Sequence, residues 1–189
     1  MNISSTIREH IEIVSQLERV IPDIERAGEL MISCLHSQGK VLWMGNGGSA
    51  AECQHLSAEL IGHYMIKRSP IPSIALTTDT SVLTAISNDY SFANVFSRQI
   101  KALCQPQDVV IGLTTSGNSK NIILGFLETK DIGAHSIALL GGEGGDEIID
   151  NVDIAIRVPF HSTPRIQEAH LLIGHILCEM MDNEVKELY

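Results

Sequence analysis

Three stretches of this chain carry groups that could do chemistry. The first, residues 40–66, reads KVLWMGNGGSAAECQHLSAELIGHYMI. A short apolar run enters a glycine turn, Gly45, Asn46, Gly47 and Gly48, and a helical pattern opens at Ser49. A strand, a glycine turn and a helix start form an anion cradle, because free N–H groups and the positive end of the helix dipole point at the ligand. Ser49 stands where an N-cap is expected. His55 and Glu59 follow at i, i+4 spacing, which puts an imidazole and a carboxylate on one helical face; the bland alternative is a solvated polar face. The second stretch is Thr114-Thr115-Ser116-Gly117-Asn118-Ser119, four hydroxyls around a glycine between an apolar run and a helix. Hydroxyls and N–H groups at a helix start can hold three phosphate oxygens without a cation. The alternative there is an ordinary polar loop with a serine cap. The third is the last helix, where Gln167 and His175 interrupt an apolar pattern of Ile166, Leu171, Leu172, Ile173, Ile176, Leu177 and Met180. A histidine in such surroundings is either a core side chain satisfied by one hydrogen bond or a functional one.

The glycine turn with Ala50 also fits the loose dinucleotide pattern G-x-G-x-x-A. That fold needs an acidic residue about 20 positions on, at the end of the second strand. The nearest candidate, Asp79, lies well beyond that distance, so the dinucleotide reading is disfavoured.

The elements that must position these groups alternate between strand and helix. Strands are predicted at 41–44, 74–77, 109–113, 136–140 and 154–158, continuous apolar runs of the kind buried on both faces of a parallel sheet. Helices are predicted from Ser49 to a close at Lys67-Arg68-Ser69-Pro70, over a short apolar segment at 82–86 capped near Asp79, and over 92–104. Two more are predicted at 122–129 and, after a loop at 160–164, from there to about 187. Residues 5–37 carry apolar positions near a 3.6-residue period, with Pro22 dividing two helices and Gly39 as the residue after the second. Gly141-Gly142-Glu143-Gly144-Gly145 reads as a flexible turn. The class is α/β with right-handed crossovers, and the N-terminal helical segment, residues 1–38, reads as an assembly surface on a single domain spanning 1–189.

The totals narrow the function. Of 189 residues, 13 are Lys or Arg and 23 are Asp or Glu, a net charge of −10. That argues against a general nucleic-acid surface, and any anionic ligand must be held by local dipoles and hydroxyls. No run approaches the roughly 18 apolar residues of a membrane span. The first residues lack a signal peptide's apolar core. Cys34, Cys53, Cys104 and Cys178 form no C-x-x-C pair, so they read as buried thiols and the expected compartment is the cytoplasm.

Taken together, GNGGSAAECQHLSAEL, ISNDYSFANVFSRQ, LTTSGNSKN and RIQEAHLLIGH resemble the SIS-domain sugar isomerases, and within them the phosphoheptose isomerases, over roughly residues 35–183. The resemblance implies a three-layer α/β/α sandwich with a five-stranded parallel sheet and a homotetramer with active sites at subunit interfaces. It implies conversion of sedoheptulose 7-phosphate to D-glycero-D-manno-heptose 7-phosphate, toward the heptose of lipopolysaccharide or capsule. By the same resemblance Asn46, Gly47 and Gly48 match the first substrate loop, Asn88 and Asp89 a second contact, and Thr114, Thr115, Ser116 and Ser119 the phosphate loop. Glu59 and His175 match the acid/base pair. His55, Glu59, Gln167 and His175 match four ligands of one zinc ion per site, with Glu59 and Gln167 also facing substrate. Two residues depart from the family pattern: Thr114 stands where serine is frequent, and Pro164 where aspartate often precedes Arg-Ile-Gln.

Aldose–ketose isomerisation moves a proton between C1 and C2 through an enediol or enediolate, and needs a base, an acid and a stabiliser of the developing charge. Glu59 suits the base, His175 the second proton transfer, and zinc the polarisation of the carbonyl. Gln167 and His175 are eight positions apart, about 12 Å of helical rise. Sharing one ion therefore predicts a kinked or late-starting final helix, or ligands from different subunits. The competing functions are a non-catalytic SIS-domain protein that binds a phosphosugar or a replication initiator, and an isomerase for a different phosphosugar.

Overall fold

Short apolar runs separated by amphipathic helices wind into a parallel sheet covered on both faces, because a strand apolar on both sides must be buried on both. The computed structural model describes residues 2–188. In chain order the elements are α1 (Ile3–Gln16), α2 (Ile21–His36), β1 (Val41–Gly45), α3 (Gly48–Ile61), β2 (Ser73–Ala75), α4 (Thr80–Asp89), α5 (Ser97–Leu103), β3 (Val109–Thr114), α6 (Lys120–Ile132), β4 (His135–Gly141), α7 (Asp146–Ile149), β5 (Ile154–Val158) and α8 (Thr163–Leu188).

The five strands are parallel in the order β2-β1-β3-β4-β5. Val41 pairs with Val109 and Gly45 with Leu113, so the C-terminal ends of β1 and β3 lie side by side. The chain leaves β1 toward β2 on one side, and β3 begins the other half of the sheet. That reversal opens a crevice beyond the strand ends, the usual ligand position in such sheets.

Side-chain alternation makes three layers. Val41, Trp43, Ile111, Leu113, Ile137 and Leu139 face a core closed by α1, α2, α3 and α8. Leu42, Met44, Val110, Ala138 and Leu140 face a second core with Phe96, Ile100, Ile122 and Phe126. The four cysteines are buried and free.

Local details differ from the sequence reading. The N-terminal helices part at a 3₁₀ turn, Leu17–Val20, ahead of Pro22, which sits in the first turn of α2 where its missing N–H costs nothing. Gln38, not Gly39, takes the left-handed conformation after α2, at φ 58°. Gly39 is needed for contact instead, since a Cβ there would stand 2.5 Å from the Gln107 carbonyl oxygen. Residues 92–104 split into a 3₁₀ turn, Phe92–Asn94, and α5. The helix carrying His55 stops at Ile61, well before residues 67–70. The last helix is continuous from Thr163, without the late start expected as one way of bringing Gln167 to His175.

Candidate active site

The glycine turn at the end of β1 divides its work between two glycines. Gly47, at φ 58°, is the residue before α3, a conformation glycine adopts without strain. Gly48 allows close approach, because a Cβ on it would collide with the side-chain amide of Gln167. Ser49 is not the N-cap: it is buried in the first turn, its N–H donating to the Asn46 carbonyl at 3.0 Å. Asn46 exchanges two side-chain hydrogen bonds with Asn121, 2.9 and 2.8 Å, across the crevice between β1 and β3. Asn121 is buried in the first turn of α6. Nothing in its sequence context marked it as a site residue, since its partner lies 75 positions away.

The hydroxyl loop after β3 is folded on itself. Thr114 Oγ1 accepts from the Gly117 N–H at 3.2 Å and lies 3.3 Å from Ser119 Oγ. Ser116 Oγ accepts from the Asn118 N–H at 3.3 Å and remains exposed. Thr115 is partly buried beside it. Gly117 takes φ 69°, and a Cβ there would meet the Gly145 backbone at 2.6 Å, while one on Gly144 would collide with the Ser116 carbonyl. The glycine run at 141–145 is therefore a packed backing for this loop as well as a turn.

His55 and Glu59 lie on one face of α3, with His55 Nε2 3.6 Å from Glu59 Oε1. His175 on α8 brings its Nε2 to 2.8 Å from Nε2 of His55. Two ring nitrogens at that separation share one proton, so one ring donates and the other accepts. Burial lowers the His175 pKa, the neighbouring His55 lowers it further, and Glu59 opposes both. Gln167, two turns earlier on α8, meets the glycine turn at Gly48 instead. Asn88 and Asp89 end α4 on the surface and bond to each other at 2.8 Å. Among the described residues, neither hydrogen-bonds to the glycine turn, the hydroxyl loop or α8. One chain thus assembles a histidine–carboxylate cluster and two loops, and leaves the Asn88–Asp89 pair apart.

The donor set His55 Nε2, His175 Nε2 and Glu59 Oε1 suits zinc by type. Among the described residues, however, no group of three or more His, Cys, Asp or Glu is arranged to hold a metal ion, and Gln167 is directed to Gly48. The separation of Gln167 from His175 follows from the unbroken helix between them.

Four neighbours of the cluster escaped the sequence reading. Tyr64 stacks on His175. Arg68 and Asp182 form a buried ion pair behind Glu59. Burial alone would raise the Asp182 pKa, but hydrogen bonds from Arg68 and from the Met65 and Ile66 N–H groups hold it below the usual range. Glu52, one turn before His55, is pushed up to about 7 by burial, partly offset by the Ser49 hydroxyl, and its Oε2 has no partner among the described residues. Glu52 lies between two singled-out residues, and only its burial sets it apart.

A parallel sheet in the order 2-1-3-4-5, with a glycine turn and a hydroxyl loop facing each other across its crevice, defines a SIS-domain protein, and the SIS-domain family model matches residues 7–141. Within that class the chain belongs to the phosphoheptose isomerase family. It is 48% identical over 186 residues to the phosphoheptose isomerase of Sulfurimonas denitrificans, covering 97% of this chain and 95% of that one. Among solved structures, phosphoheptose isomerase from Neisseria gonorrhoeae superimposes with a TM-score of 0.90 at 40% identity, covering 96% of this chain and 97% of that one. The Francisella tularensis phosphoheptose isomerase gives 0.92 at 38% identity, covering 96% of each. These relatives favour an isomerase over the binding-protein alternative.

Proposed function

We propose that this chain interconverts sedoheptulose 7-phosphate and D-glycero-D-manno-heptose 7-phosphate by proton transfer between C1 and C2, in the supply of heptose for lipopolysaccharide or capsule. The observation that carries the reading is the convergence of His55, Glu59 and His175 from two helices in a family of phosphoheptose isomerases. The two imidazoles stand 2.8 Å apart, and the carboxylate lies 3.6 Å from His55.

Each part of the site has a task. Thr114, Thr115, Ser116 and Ser119, with the first N–H groups of α6, hold the phosphate. Asn46, Gly47, Gly48 and Gln167 bind the sugar near the reacting end, and Asn88 and Asp89 supply a further contact. Glu59 takes the proton from carbon as general base and returns it to the neighbouring carbon. His175 moves a proton between the two oxygens, a role open to an imidazole that is neutral at working pH. The His55 contact orients the His175 ring. A zinc ion, one per site, would be held by His55, Glu59 and His175, with Gln167 a fourth ligand only once its amide leaves Gly48, and when bound would polarise the carbonyl and stabilise the enediolate. Because Glu59 cannot be a tight ligand and a free base together, one of these roles would have to loosen during turnover, or the ion would act mainly structurally.

The assembly we propose is a homotetramer with its sites at subunit interfaces, in the cytoplasm and without nucleic-acid or membrane partners. Two features support the interfaces: the separation of Asn88 and Asp89 from the cluster within one chain, and the row of exposed Ile3, Ile7 and Ile11 on α1. Residues 1–38 would then serve assembly on a domain spanning 1–189. No described helix is long and apolar enough to cross a membrane.

The test is proton NMR of sedoheptulose 7-phosphate incubated with the protein in D₂O, with zinc and after a chelator. Appearance of the aldoheptose phosphate with deuterium at C2 is the expected result, and its loss on chelation assigns zinc to the reaction. Binding of the phosphosugar without turnover under either condition would overturn the proposal.

A further inference from the structure

Tyr64 lies five residues beyond Glu59, in the irregular segment that follows α3. Its ring stacks on the imidazole of His175, with centroids 5.2 Å apart and planes inclined by 19°. His55 approaches the same imidazole edge-on, at 5.1 Å and 78°. One neighbour thus fixes the plane of the His175 ring, and the other engages its Nε2.

The stack is built into the fold. Asp182 lies two turns beyond His175 on α8, a spacing that keeps both on one face. Its carboxylate accepts from the N–H groups of Met65 at 2.7 Å and Ile66 at 3.1 Å, the two residues after Tyr64, and from Arg68 Nε. Arg68 in turn donates to the carbonyls of Leu60 at 2.7 Å and Glu59 at 3.0 Å, in the last turn of α3. The Arg68 and Asp182 side chains are 2% and 3% exposed. The helix that supplies the imidazole therefore also supplies the carboxylate that anchors the aromatic ring over it. The same guanidinium ties this segment to the helix bearing His55 and Glu59.

We propose that Tyr64 is a positioning residue for His175, its aromatic face holding the imidazole with Nε2 directed at His55 and Glu59. This rests on the reading of His175 as the acid/base group. The ring carries the role, since among the described residues the Tyr64 hydroxyl has no hydrogen-bond partner. Burial first, then the nearby Glu179, Cys178, Glu59 and Asp182, raise its pKa and keep the phenol neutral.

Tyr64→Phe, Tyr64→Leu and His175→Gln, made in the full chain, test this through kcat, KM, the melting temperature and the ring proton resonances of His175. Those resonances are assigned in histidine-labelled protein by their loss in His175→Gln. Tyr64→Phe keeps kcat and the His175 resonances. Tyr64→Leu lowers kcat roughly 10- to 100-fold, the range that misplacing a reacting group costs. It leaves KM within about twofold, the signature of a lost transition-state contribution. It also moves the His175 resonances downfield as the ring current is lost. Wild-type kcat in Tyr64→Leu, or a loss of kcat with the His175 resonances unmoved, overturns the proposal. A Tyr64→Phe variant as slow as Tyr64→Leu does so too, by placing the effect on the hydroxyl. Undiminished turnover in His175→Gln instead removes the role assigned to His175, while the resonance shift in Tyr64→Leu still reports whether the stack exists.

Discussion

His55 and His175, 120 positions apart in sequence, bring their Nε2 atoms to 2.8 Å. At that distance both rings cannot be protonated on Nε2, so one of the pair is the acceptor. Burial lowers the pKa of His175 and the nearby His55 lowers it further. The pair therefore supplies a neutral nitrogen beside the Glu59 carboxylate, which is what an acid/base site for an aldose–ketose isomerisation requires.

Glu59→Gln keeps the volume and polarity of the side chain but removes the carboxylate proposed as the base. Exchange of the C2 proton with D₂O should fall by about 10²- to 10⁴-fold, while phosphosugar binding measured by calorimetry persists. Exchange at the wild-type rate would show that another group takes the proton.

The Ser116 hydroxyl is exposed at the tip of the loop after β3. Ser116→Ala should weaken phosphosugar binding by about 1.5–3 kcal/mol, the scale of a hydrogen bond to a charged group. The dissociation constant reads the effect, and an unchanged value would remove Ser116 from the phosphate site.

Asp182→Ala leaves the Arg68 guanidinium buried without its counter-ion. The expected loss is about 3–5 kcal/mol of folding stability, read as a lower urea midpoint. Stability equal to wild type would mean that the cation finds water or another acceptor.

A buried group and a partly buried one set opposing pH dependences. His170, fully buried with its Nδ1 unpartnered among the described residues, is lowered to about 4 by burial, partly offset by its bond to the Leu140 carbonyl. Its contribution is intact above pH 6.5 and is lost as pH falls toward 4, about 3 kcal/mol in full. Glu52 is raised to about 7. Its contribution is present below about pH 4.5 and is lost as pH rises through 7. Glu52→Gln should therefore make stability fall more steeply with acidification between pH 6.5 and 5 than it does in the wild type. Parallel profiles in denaturant titrations would show that Glu52 does not titrate in this window.

Much of the fold could be read along the chain because its signals are local. Continuous apolar runs marked all five strands, and the strand–glycine–helix sequence at 41–49 and the hydroxyl cluster at 114–119 marked both loops. His55 and Glu59 came from helical spacing alone. The caps were less legible: Gly47 displaced Ser49 and Gln38 displaced Gly39, because a cap is chosen by backbone geometry that several residue types can meet.

The sequence by itself determined which residues are chemically equipped, and where each stands within its own helix or loop. Only the tertiary structure decided which of them meet. The strand order 2-1-3 put the glycine turn and the hydroxyl loop on facing sides of one crevice and joined Asn46 to Asn121. The packing of α8 along α3 sent Gln167 to Gly48 and His175 to His55. Tyr64, Arg68 and Asp182 became neighbours of the cluster through contacts spanning more than 100 positions. Periodicity places a side chain on a face of its own element. It holds no information about the partner element, which is selected by the burial of both apolar faces together.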